Sequence, residues 1–253
     1  MAARPPARLD LSRPRAYGEL MRTTFQVFGR SSAVVLTAAL LLITPVALGV
    51  DGVWGRALAD GVDAEPPPAA SAVSLGLRLL LVAPLMTALS VLVVQELGRG
   101  AEPTLGGALR AAARRLPAVL GAVGLYVLGV SGGLVLLIVP GVWLLVLWYF
   151  AAQAAAVEGA APVAAVRRST ELVRGSWWRV FGLILATGLL FGFGGAVATS
   201  IVASTGSTAL YVAALIVVEA LAVSLSGIFA ALLFYDLRVR SAGRPGRPGS
   251  SSP

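Results

Sequence analysis

The chain predicts an all-α, polytopic membrane protein with six transmembrane helices and three basic amphipathic helices at the interface. Three observations predict this. Of 253 residues, 57% are hydrophobic and only 13% charged, with a mean hydropathy of +0.86, whereas about a quarter of a soluble domain is charged. Long apolar runs recur along the chain, several near the roughly 20 residues that cross about 30 Å of hydrocarbon. All twenty basic residues are arginine, and eighteen of them fall in segments that share one side of a membrane once the spans are counted.

Residues 1–15, rich in proline and arginine and without an apolar period, read as a disordered cytoplasmic tail. The membrane domain is expected over 16–240. In residues 16–30, Tyr17, Leu20, Met21, Thr24, Phe25 and Phe28 recur at spacings of three and four, the pattern of a helix lying in the interface. Span one, about 32–50, contains Pro45, which is expected to kink it. Ala57-Leu58-Ala59 resembles a signal-peptidase site, but some thirty residues before the apolar core make a poor n-region, so an uncleaved helix is expected. The acidic, proline-rich loop Asp51–Ala70 is placed outside.

Span two is about 72–95, followed by a second basic helix from Thr104 to Arg115. Residues 117–157 are almost uninterrupted apolar sequence; as one helix they would reach about 60 Å at 1.5 Å per residue, twice the hydrocarbon thickness. A break is therefore required, and Pro140-Gly141 is the expected place, giving spans of about 116–138 and 141–157. A third basic helix covers about 162–174, with Trp177 and Trp178 at the interface where indole rings settle. Span five, about 178–204, and span six, about 209–234, precede a disordered cytoplasmic tail at 241–253. Both termini are thus expected in the cytoplasm.

The same composition removes much chemistry. With no Cys, His or Lys there is no thiol nucleophile, imidazole base, ordinary zinc site or Schiff base, so neither a metal nor a cofactor is expected and the chain reads as a non-enzyme. The net charge of +8 flanks apolar spans rather than lining a polar face with interleaved aromatics, which points to anionic headgroups on the cytoplasmic side and away from nucleic acid. Arginine-only basicity with abundant Ala, Gly, Val and Leu matches the codon bias of a GC-rich prokaryotic genome, hence a prokaryotic cell membrane.

Two sets of charged residues are candidate sites. Arg78 in span two and Glu219 in span six lie at depths about four residues apart, within reach of each other; an ionisable side chain there is a functional hypothesis by default. The pair could serve a small transporter or lipid translocase, against a purely structural ion pair, which the absence of any further polar relay favours. Arg167, Arg168, Arg174 and Arg179, near Glu158 and Glu171, could hold a lipid phosphate, against local ion pairs that set topology. Small residues spaced by four, Gly188, Gly192, Ala196, Ser200 and Ser204 in span five and Gly129 with Gly133 in span three, are expected to pack helices internally, with a homodimer face as the sharper alternative. Asp236 has no second membrane aspartate with which to share a proton, which argues against an aspartyl protease.

Pro140-Gly141 with Trp143 and Trp148, then Glu158-Gly159, Arg168-Ser169, Leu172, Gly175, Trp178 and Gly182, and finally Tyr235-Asp236-Leu237-Arg238 occur in an order and spacing that resembles the glycerophosphoryl diester phosphodiesterase membrane-domain family and related six-span prokaryotic proteins. The resemblance covers about residues 17–240. It implies the membrane module alone, because in fused relatives the diesterase chemistry belongs to a separate barrel that uses histidine and metal-binding carboxylates. The expected role is a non-enzymatic module organising lipid or a protein partner at the cytoplasmic face.

Overall fold

A computed structural model describes residues 9–52 and 68–243. Among them the helices are α1 (Tyr17–Val46), α2 (Pro68–Leu77), α3 (Ala83–Arg99), α4 (Leu105–Leu136), α5 (Ile138–Trp148), α6 (Ala151–Glu158), α7 (Pro162–Val173), α8 (Trp177–Gly188), α9 (Gly194–Ala203) and α10 (Thr208–Ala242), with no strand among the described residues. Joined across short π-helical turns and tight breaks, they make six helices long and apolar enough to cross a membrane, Tyr17–Val50, Ala72–Arg99, Leu105–Leu136, Ile138–Glu158, Trp177–Ala203 and Ala209–Ala242. Residues 53–67 of the expected external loop, with Arg56, lie outside the described residues, as do tail residues 1–8 and 244–253.

The basic segments expected as separate interfacial helices resolve differently. Only Pro162–Val173 is a helix of its own; 17–30 and 105–115 run without a break into the spans. At 1.5 Å per residue, the 30 residues of α1 and the 32 of α4 exceed about 30 Å of hydrocarbon by several turns, so their arginine-bearing ends project past it without a hinge.

Three spans open into a π turn beside proline or glycine. The helix passes Pro45 and opens into a π turn at Ala47–Gly52. A second π turn, Arg78–Val82, precedes Pro84, and the Ala83 N–H reaches back five residues to the Arg78 carbonyl. Proline cannot donate, and a wider turn next to it re-partners the freed carbonyls. The expected break at Pro140-Gly141 is displaced: the chain leaves helix at Leu137, whose backbone is extended, and Pro140 sits within the first turn of α5 where its missing N–H is harmless. Gly141 is needed for another reason. A Cβ on Gly133 would stand 2.9 Å from its Cα, and one on Gly129 would strike Trp148, so these glycines let α4 and α5 close as a tight hairpin.

The stripe in span five behaves in the opposite way. Gly188 and Gly192 have nothing within 4 Å of a built Cβ, and Ala196, Ser200 and Ser204 are exposed. Internal packing is carried there by Gly195, off the stripe, which faces Val218. The internal-packing expectation thus holds for Gly129 and Gly133 and fails for the span-five stripe.

α10 is the hub. It packs along α1, α3 and α9, and its residues 228–237 are almost all buried. Ile228, Phe229, Leu232, Leu233 and Phe234 meet Leu20, Leu89, Phe150 and Leu172 in one core. Elsewhere large apolar side chains face outward, Val135 at 87% exposure and Leu136, Ile138 and Val139 beside it, a surface that belongs in lipid rather than water.

Residues 9–15 are not the free tail that their composition suggests. The Leu9 N–H bonds the Leu97 carbonyl at 3.1 Å, Leu11 lies against Gly98, and Arg15 is only 3% exposed. The C-terminal tail likewise starts later than expected, since α10 continues to Ala242.

Candidate functional site

One end of the molecule collects nearly all the described charge. Leu9–Arg15, the start of α1, the α3–α4 and α6–α7 connections, the start of α8 and the last turns of α10 meet there, tied by Arg15 to Asp236, Arg179 to Asp236 and Arg238 to Glu158. We call this end the basic face.

Its centre is Asp236, fully buried on α10. One carboxylate oxygen accepts the Arg15 backbone N–H at 2.6 Å, and the other accepts Arg179 Nη1 at 2.9 Å and Arg240 Nε at 2.8 Å. The same two guanidinium groups donate to the Arg15 carbonyl, at 2.8 and 3.0 Å. The result is a closed knot in which one buried anion and one backbone carbonyl satisfy two arginines, and the N-terminal segment is clamped to α8 and α10. Arg179, expected as a headgroup contact, is turned inward by this knot.

A second cluster surrounds Glu158 at the end of α6. Arg168 Nε lies 3.2 Å from its Oε1 and Arg238 Nη2 3.9 Å, with the Arg238 guanidinium also over the Phe234 and Tyr235 rings. Arg167 and Arg168 both reach Glu171, at 3.4 and 3.6 Å. Arg174 is exposed where α7 ends, and the side chain of Arg167 is 83% exposed. Gly159 and Gly175 take positive φ, 64° and 81°, where a side chain would be strained, and a Cβ on Gly159 would also collide with the Arg115 guanidinium.

Neutral residues of the same motif have structural tasks. The Ser169 hydroxyl accepts the Phe150 N–H at 3.1 Å and donates to the Leu147 carbonyl at 2.7 Å, bridging the break between α5 and α6. Trp177 stacks between Trp143 and Phe181, with centroids 5.0 and 5.2 Å away, and its Nε1 donates to the Trp143 carbonyl. Trp178 is 77% exposed, as an interfacial indole would be.

Arg78 and Glu219 do meet. Arg78 Nη1 donates to Glu219 Oε1 and its Nε to Ser74 Oγ at 3.1 Å, while Glu219 Oε2 is buried without a partner. α2 begins at Pro68, earlier than span two was expected to start, so the two residues lie ten and eleven residues into their helices, at matching depth. Beside them, Leu79 and Val223 border a cavity of about 300 Å³ between α3, α4, α6 and α10, lined also by Tyr126, Trp148 and Gln153, whose Oε1 is buried and unpartnered.

Sequence reasoning did not mark Arg15 or Arg240 as structural, nor Asp236 as their shared partner. The one legible signal was Asp236 four residues before Arg240 on a helix, the spacing of an ion pair. No family model, no curated protein and no solved structure matches this chain.

Proposed function

We propose that this chain is a non-enzymatic membrane module that gathers anionic lipid at the cytoplasmic face of a prokaryotic cell membrane, with both termini in the cytoplasm. One observation carries the reading: the basic face holds more arginine than its own carboxylates can neutralise. Fourteen arginines of the described segments stand there against seven carboxylates, and Asp236, Glu158 and Glu171 already serve five of those arginines between them. Arg110 and Arg114, one turn apart near the start of α4, and Arg167 on α7 are exposed at the level where the long helices leave the hydrocarbon. Guanidinium groups so placed bind phosphate oxygens in bidentate fashion and are attracted to an anionic leaflet by about 1 kcal/mol each. The positive-inside distribution supports placing this face in the cytoplasm, and the resemblance to the diesterase membrane domain supports a module without its own catalytic chemistry. A protein partner on the same face would use the same charge.

The test is lipid retention by the purified protein in native mass spectrometry. Phosphatidylglycerol is expected to be retained over phosphatidylcholine, and the triple replacement of Arg110, Arg114 and Arg167 by Gln to erase the preference. Equal retention of both lipids by the unaltered chain would overturn the reading.

A second reading, a small transporter or lipid translocase, is favoured by one observation, a cavity that holds the unpartnered Gln153 oxygen and is bordered by Leu79 and Val223, one residue after Arg78 and one turn after Glu219. It requires Glu219→Gln to abolish uptake or lipid flipping in reconstituted vesicles, and unchanged transport by that variant would remove it.

A further inference from the structure

The cavity of about 300 Å³ between α3, α4, α6 and α10 lies at span depth, between the two charged sites. Gln153 on its wall stands five residues before Glu158 on α6, about 8 Å inward from the basic face at 1.5 Å per residue. Val223 on α10 is one turn past Glu219. Leu79 and Ala83 at the rim are exposed within span two, so the cavity opens sideways into lipid. Among the described residues no Asp, Glu or Arg lines it. Most of the wall is apolar, yet Gln153 is only 5% exposed and its Oε1 is buried with no partner. A buried amide oxygen without a donor is unfavourable by the cost of its desolvation. The wall does not supply that donor. Its Ser226 hydroxyl donates to the Ala222 carbonyl at 2.6 Å, and none of Thr87, Tyr126 and Tyr149 reaches the Gln153 oxygen.

We infer that this cavity binds the hydroxyl end of an uncharged lipid alcohol, which enters from the bilayer past Leu79 and Ala83 and donates its O–H to Gln153 Oε1. The wall selects the class: an ammonium, carboxylate or phosphate would be buried here with no counter-charge, which is costly at this depth. A hydroxyl supplies the missing donor without a charge. Size agrees. An apolar cavity of about 150 Å³ holds one benzene, so this one takes a chain on the order of a dozen carbons. Water is the poorer occupant. At about 30 Å³ each, roughly ten waters would fill the space, each seeking about three hydrogen bonds, and Leu79, Met86, Val123, Val127, Val223 and Ala230 offer none from their side chains. The inference names a ligand class for the cavity that the transport reading invokes, but binding rests neither on transport nor on the basic face.

The experiment places the full-length protein in phosphatidylcholine nanodiscs and titrates in dodecanol brominated at its far end, with bromododecane as the matched probe that lacks the hydroxyl. Bromine quenches a nearby indole, and Trp148 on the cavity wall reports its arrival. The quenching that counts is the saturable part that Trp148→Phe removes. The alcohol is expected to saturate it at a roughly tenfold lower concentration than bromododecane, about the worth of one buried hydrogen bond. Gln153→Leu, similar in size and free of the unpaired amide, should bind the two probes alike. Equal saturation by both probes in the unaltered protein overturns the proposal, as does a preference that survives in Gln153→Leu. Quenching that never saturates, as in a cavity holding water only, overturns it too, and so does equally tight binding of bromododecyl trimethylammonium, which is permanently charged. The two probes decide the matter on the unaltered protein even if Gln153→Leu fails to fold. Saturable alcohol binding together with transport unchanged in Glu219→Gln would remove the transport reading and leave this site standing.

Discussion

Asp236 and Glu219 stand on the same helix, seventeen positions and about 26 Å apart, and they solve the problem of a buried carboxylate in opposite ways. Asp236 accepts three hydrogen bonds from two arginines and a backbone N–H, and no part of it is exposed. Glu219 accepts from Arg78 through one oxygen, and its other oxygen is buried with no partner. Asp236 lies where the helices leave the hydrocarbon and arginines converge from three segments; Glu219 lies mid-span, where a single arginine is available. A saturated anion is a structural clamp. A half-satisfied one can still accept a further donor, which is why transport, if present, would be sought at Glu219 and not at Asp236.

The comparison is broken most directly by Asp236→Ala. It leaves two guanidinium groups facing each other and frees the N-terminal strap, for an expected loss of about 3–5 kcal/mol, read as a large fall in thermal midpoint in detergent with early proteolysis before Tyr17. A loss no larger than that of Glu219→Ala would end the distinction. Ser169→Ala strands the buried Phe150 N–H and should lose about 1–3 kcal/mol, measured the same way; a neutral effect would mean that the α5–α6 break is satisfied without it. Glu219→Gln should change stability by about 0.6 kcal/mol, the usual scale of a polar contact between membrane helices, and a loss as large as that of Asp236→Ala would make the mid-span pair a clamp too. Arg167→Gln, with its side chain largely exposed, should lie within about 0.5 kcal/mol of the parent. Topology has its own check: a periplasm-active reporter is expected to be active when fused at Gly206 and silent at Gly249, and equal activity at both would invert or abolish the assigned faces.

Much of the fold was legible because the bilayer imposes length and composition on each span. The need to break 117–157 followed from arithmetic, and the depths of Arg78 and Glu219, about four residues apart by sequence, put them within reach of each other. The misjudged details share a cause. The break moved from Pro140 to Leu137 because proline fits a first helical turn, and the requirement that settled it was the approach of Gly133 to Gly141 across the hairpin. The stripe Gly188–Ser204 looked like Gly129–Gly133 in sequence, yet one faces outward and the other a neighbouring helix. Arg179 and Arg15 looked like their neighbours too, since nothing local tells an arginine bound for headgroups from one bound for a carboxylate on another helix.

By itself the sequence determined the solvent of this protein, the number of its spans and the sharing of one face by its arginines, because hydrophobic length and charge placement are local quantities that a bilayer reads directly. Only the tertiary structure decided which arginines are consumed within the protein and which remain for a ligand. That choice depends on Asp236 lying beside Arg179 and Arg15, residues 57 and 221 positions away in the chain, and contacts at such separation exist only once the helices have packed.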